Sequence, residues 1–170
     1  MKIRTLVQIL ALSGAAIGFG AAQGSADQGH CRHVGGGIIT NFLPQADCQS
    51  SPIGLCTDGV ATGDLSGSVG VAVLSQNGSA PSGYLHNHHH WVTASGDNIY
   101  FDDANLYLLA EVNNEILGNY THGVTITGGT GAFANASGNV NSVFGAIDLN
   151  KGQLTLRYEG TVCFERVPSP

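Results

Sequence analysis

The stretch that decides the fold is Gln153-Leu154-Thr155-Leu156-Arg157-Tyr158-Glu159-Gly160-Thr161-Val162-Cys163-Phe164-Glu165, near the end of the 170-residue chain. Leu154, Leu156, Tyr158, Val162 and Phe164 fall on one side of an extended backbone, and Thr155, Arg157, Glu159, Thr161 and Glu165 on the other. A period of two held over a dozen residues cannot be wound into a helix of period 3.6. The tight-turn triplet Asn150-Lys151-Gly152 stands in front of it, and Asn135 to Leu149 supplies a preceding strand. Together they read as a β-hairpin.

Working backwards, the same signature recurs. Tyr120 to Thr127, Ala104 to Val112, Ile99 to Phe101 and Tyr84 to Ala94 read as strands. So do Val60 to Gln76, around the run Ser68 to Leu74, and His33 to Phe42. Between them lie Asn113-Asn114, Ser95-Gly96-Asp97-Asn98 and the turn-rich Asn77 to Gly83. Residues 44–58, with Pro44, Pro52 and two cysteines, read as a long loop. No amphipathic helix interrupts the pattern. About eight short strands close most naturally into a single antiparallel barrel, because closure removes exposed edges. A two-sheet β-sandwich is the alternative.

The chain opens with Lys2 and Arg4, continues through a mostly apolar run from Leu6 to Ala22, and reaches the small residues Gly24-Ser25-Ala26. That tripartite layout predicts a secretory signal peptide over 1–26 and a β-barrel domain over 27–170. The expected location is secreted or periplasmic. Removing Lys2 and Arg4 takes the formal charge from −6 to −8. A surface so poor in cations cannot neutralise many phosphates, so nucleic acid and anionic membrane are excluded as expected partners. No later run is long enough to span a bilayer as a helix.

Cys31, Cys48, Cys56 and Cys163 make an even set in an oxidising compartment, which reads as two disulfides with three pairings open. The preferred pairing is Cys48–Cys56, closing a local loop, with Cys31–Cys163 tying the first strand region to the last.

Val124-Thr125-Ile126-Thr127-Gly128-Gly129-Thr130-Gly131-Ala132-Phe133-Ala134-Asn135-Ala136-Ser137-Gly138 resembles the strand–loop–strand signature of the allene oxide cyclase and dirigent-like barrels. The final strand, Gly152 to Cys163, and the stretch His90 to Asp97 are similar to segments of exported bacterial members. The resemblance implies an eight-stranded barrel and, from the plant members, a homotrimer. It also implies a cavity that binds a small, largely apolar ligand or steers its cyclisation or isomerisation. It carries no active-site residue over to this chain. Physically, the clustered glycines permit tight backbone turns, and Phe133 is placed to fold back as a plug.

The chemically unusual segment is Tyr84-Leu85-His86-Asn87-His88-His89-His90-Trp91. On a strand, His86, His88 and His90 share one face, and Asn87, His89 and Trp91 share the other. Alternate histidines about 6–7 Å apart suit convergence on one zinc or copper ion, with Glu111 or Asp102 completing the set. Without a metal, the row could line a polar barrel interior and serve as general acid and base. The expected ligand-lining residues are Tyr84, His86, His88, His90, Tyr107 and Tyr158, with Phe144 as a further aromatic wall. His30, His33 and His122 read as isolated surface residues, and Asp102-Asp103 as a turn or solvated edge. A filled barrel acting through its surface, as a structural or interaction protein, is the competing expectation.

Overall fold

A computed structural model describes residues 30–165; the signal-peptide reading lies outside the described residues. The strands are β1 (His30–Phe42), β2 (Cys56–Ala61), β3 (Gly67–Asn77), β4 (Tyr84–Thr93), β5 (Asn98–Phe101), β6 (Ala104–Val112), β7 (Glu115–Asn119), β8 (Val124–Gly129), β9 (Ala136–Asp148) and β10 (Gln153–Phe164). All pairings are antiparallel, and β10 joins both β9 and β1, so the sheet closes on itself. β5 and β6 are two pieces of one stave, and β7 and β8 of the next. The result is an eight-stranded barrel rather than a sandwich.

The inward face of β10 is the one the alternation selects: Leu154, Leu156, Tyr158 and Val162 are all buried. β9 and β10 slip register between Arg157 and Tyr158, and the alternation along β10 runs on through the slip. Inside the barrel these side chains meet Val34, Leu65, Trp91, Ile99, Ile126 and Phe133. Apolar area removed from water stabilises at roughly 25 cal/mol per Å², so the lumen is where this fold gains most of its stability. Polar and charged residues such as Asp58, Arg157 and Glu165 stay exposed. An apolar lumen is the reverse of the polar interior of an outer-membrane barrel. Among the described residues no helix is long and apolar enough to cross a membrane.

One end of the barrel is closed by the connection between β2 and β3. The span read as one strand from Val60 to Gln76 is interrupted there, and β2 begins inside the expected loop. The Leu65 side chain enters the lumen, and three bonds fix the turn. Leu65 N–H donates to Tyr158 Oη at 2.9 Å, Tyr158 Oη–H donates to Thr62 O at 2.9 Å, and Trp91 Nε1–H donates to Leu65 O at 2.8 Å. Gly63 has φ +89°, and a Cβ there would stand 2.2 Å from the Gly35 carbonyl oxygen, so only glycine fits this close approach. Phe133, in a 3₁₀ turn over Gly131–Phe133, is buried with its ring 5.4 Å from that of Phe164.

Both preferred disulfides are present. Cys31 and Cys163 face each other across β1 and β10, and Cys48–Cys56 holds the 43–55 loop onto the barrel's outer wall, over Ala72. β7 is a strand the sequence reading missed: Gly118 and the polar ends of Glu115–Asn119 obscure its two apolar residues, Ile116 and Leu117.

Candidate functional site

β4 crosses the middle of the barrel, and its pleat sends Asn87, His89 and Trp91 inward. Tyr120, at the break between β7 and β8, points in to meet them. Asn87 Nδ2 donates to Tyr120 Oη at 2.8 Å, and His89 Nε2 lies 2.9 Å from the same oxygen. The His89 ring packs edge-on against Tyr120 and Phe101, with centroids 5.3 and 6.2 Å apart.

Beside this trio lies a partly enclosed cavity of about 50 Å³. Its walls include Val69, Trp91, Phe101, Val140, Leu156 and Tyr158, and two polar atoms there have no partner: His89 Nδ1 and Thr40 Oγ1. Asn87 Oδ1 is also buried without a partner. Buried polar groups are nearly always hydrogen-bonded, so these orphans need a reason. Burial sets the charge state of the site. Desolvation, reinforced by nearby His88, lowers the His89 pKa to about 4, so its ring is neutral at physiological pH. Desolvation likewise raises Tyr120 far above its ordinary value, with the Asn87 hydrogen bond opposing the shift. A neutral imidazole carries one donor and one acceptor, so Nδ1 offers the cavity the complement of whatever Nε2 does toward Tyr120.

The sequence reading selected the other face of β4. His86, His88 and His90 point outward, each tied to a polar neighbour: His86 Nδ1 to Asn105 Oδ1 at 2.8 Å, His88 Nδ1 to Asp103 Oδ1 at 2.8 Å, and His90 Nε2 to Asn98 Oδ1 at 3.2 Å. His86 and His88 both approach Asp103 while His90 turns to Asn98, so the three rings do not meet at one point. Glu111 pairs with Ile116, six residues along β6 from the Asn105 that faces His86, or roughly 20 Å at strand rise. Among the described residues no three His, Cys, Asp or Glu side chains are grouped to hold a metal. The zinc or copper set His86, His88, His90 and Glu111 is therefore corrected: strand direction disperses it.

Of the expected ligand-lining residues, only Tyr158 and His90 border the cavity. The Tyr158 hydroxyl is committed to the β2–β3 turn, and the His90 side chain is exposed. Tyr84 and Tyr107 pair with each other on the outer wall, ring centroids 5.9 Å apart, and Phe144 is 77% exposed there. The residues missed are His89, Asn87, Tyr120 and Thr40. The neighbouring Trp91 was the available signal, because the face that carries a tryptophan is the one a barrel buries.

Comparison with family models, with curated proteins and with solved structures finds no match to this chain.

Proposed function

We propose that the protein is an exported barrel that binds a small, largely apolar molecule by its polar end, beside His89 and Thr40. The carrying observation is the pair of orphan polar atoms in an otherwise apolar cavity. Ligand sites are typically apolar hollows with a few convergent polar groups that fix orientation. The orphan groups are a neutral imidazole and a hydroxyl, which suit an uncharged head: a hydroxyl or carbonyl. The cavity is about a third of the roughly 150 Å³ that seats a benzene, so it takes a head of a few atoms and leaves the tail at the open side. Any cyclisation or isomerisation would use the same contact, with neutral His89 holding the polar atom while the walls restrict the tail.

The test is an NMR titration of the disulfide-bonded protein with the series propan-1-ol to hexan-1-ol. Saturable shifts of Thr40 and the Trp91 indole are expected. Affinity should rise about fourfold per methylene, from about 0.8 kcal/mol each, until the tail reaches solvent. Thr40→Val and His89→Phe should each weaken binding about tenfold. Shifts that never saturate, or variants that bind as well as the parent, refute the proposal.

A second reading, an interaction surface, is favoured by one feature of the wall. Val60, Ile39, Thr155, Ala146 and Leu117 stand directly opposite one another across β2, β1, β10, β9 and β7. Val60, Ile39 and Leu117 are about half exposed, and Phe144 lies two positions from Ala146 along β9. An exposed, largely apolar band of this kind, crossed by Thr155, suits a second copy of the chain.

A further inference from the structure

Asn77-Gly78 is the one Asn-Gly step in the chain, and the fold sets it at the end of a ladder. Asn77 pairs with Tyr84 as the last rung between β3 and β4, and Gly78 opens the 78–83 loop at φ +69°. That loop plugs the barrel end opposite Leu65: Ala80 packs against the core, and Leu108 N–H donates to Gly83 O at 2.8 Å. Asn77 itself is exposed, and its Nδ2 donates to Tyr84 Oη at 3.2 Å.

We propose that Asn77 is a self-modification site. Gly78 N attacks the side-chain amide, ammonia leaves, and water opens the resulting succinimide to aspartate or isoaspartate, with Tyr84 as proton donor to the departing nitrogen. The bond formed joins Gly78 N to Asn77 Cγ and closes a five-membered ring; the bond broken is Cγ–Nδ2. Gly78 N gives its proton to solvent. In the tetrahedral intermediate Nδ2 is an amine with a free lone pair, so it accepts where the amide donated. The Tyr84 hydroxyl, which both accepts and donates, rotates to supply the proton, and solvent returns one to the phenol. One water is consumed and one ammonia released, with no oxidant or reductant.

Two features of the loop favour the attack. Gly78 carries no side chain to shield its nitrogen. Its N–H lies beyond the last rung and has no protein acceptor among the described residues. The products differ in their effect. An aspartate places a negative charge beside the Tyr84 hydroxyl. An isoaspartate lengthens the backbone by a methylene at the hinge of the plug, where a Cβ on Gly83 would already stand 2.5 Å from the Gly78 carbonyl carbon, so that product unseats Ala80. The inference stands independently of the interior site.

The experiment incubates the disulfide-bonded protein in warm, mildly alkaline buffer. Asn77 is followed by peptide mapping, with fragmentation that separates aspartate from isoaspartate. First-order conversion at Asn77, ahead of every other asparagine, is expected. It should quicken about tenfold per pH unit, as the deprotonated fraction of the attacking nitrogen does. In the folded protein Tyr84→Phe should slow conversion about tenfold, less than a buried acid contributes, because water competes at an exposed site. In urea, with the disulfides intact, parent and Tyr84→Phe should convert at the same rate, which separates proton donation by the fold from the intrinsic reactivity of Asn-Gly. A folded parent that keeps Asn77 intact, or a folded Tyr84→Phe protein that converts as fast as the parent or faster, overturns the proposal. So does an equal slowing of Tyr84→Phe in urea.

Discussion

Acidifying the solution should destabilise this barrel through one side chain, His89. In the unfolded chain an imidazole titrates near 6.5, and in the barrel burial lowers it to about 4. Above about pH 6.5 neither state binds the proton. Between there and about pH 4 the unfolded state binds it and the folded state does not, so stability falls as pH falls. Below about pH 4 both bind it and the effect levels off. The slope is about 1.4 kcal/mol per pH unit, and the interval of 2.5 units gives a total of about 3 kcal/mol. Against a typical domain stability of roughly 5–15 kcal/mol, that is a large share. The assay is urea unfolding with disulfides intact at several pH values from 7 to 4, on the parent and on His89→Phe. The phenyl ring keeps the packing against Phe101 and Tyr120, and loses one hydrogen bond at every pH, at a cost of about 1 kcal/mol. The difference between the two pH profiles isolates His89, because every other side chain is common to both proteins. A variant whose stability declines between pH 6.5 and 4 as steeply as the parent's would refute the reasoning.

The two disulfides should contribute unequally. Their partners are 132 and 8 residues apart, and loop-closure entropy gives about 5 and about 2.5 kcal/mol, so the Cys31→Ser/Cys163→Ser protein should unfold at markedly lower urea than the Cys48→Ser/Cys56→Ser protein. Equal midpoints would contradict a chain-entropy origin. The apolar band on the wall predicts concentration-dependent association in sedimentation velocity, into a dimer or a larger assembly. Phe144→Asp should shift the distribution to monomer, and a parent that sediments as a monomer at every concentration removes this reading.

The barrel was legible in the sequence because alternation is a local property. Each of Leu154, Leu156, Tyr158 and Val162 announces its side of the strand by its neighbours, and closure follows from eight such strands needing no edge. The cysteine pairing was readable for a similar reason: one bridge is local, and the other joins the first strand to the last. β7 escaped because Gly118 and flanking polar residues leave only Ile116 and Leu117 to mark it.

The site was a different matter. Periodicity divided the histidines of β4 into two rows but could not say which row faced the lumen. The richer row, His86, His88 and His90, drew the assignment, whereas the buried row holds one histidine, His89, between Asn87 and Trp91. Which face is inside depends on what the neighbouring strands bring to it. Val71 opposite His89, and Tyr120 from a stave 31 residues further along the chain, make that face the buried one. The Tyr84 hydroxyl beside the Asn77 amide is likewise invisible in either strand alone, because only the register of β3 on β4 brings the two together. Alternation along a strand is set by bond geometry within a few residues. Burial, orphaned polar atoms and an imidazole held neutral arise from desolvation by distant parts of the chain, and only the closed barrel brings those parts together.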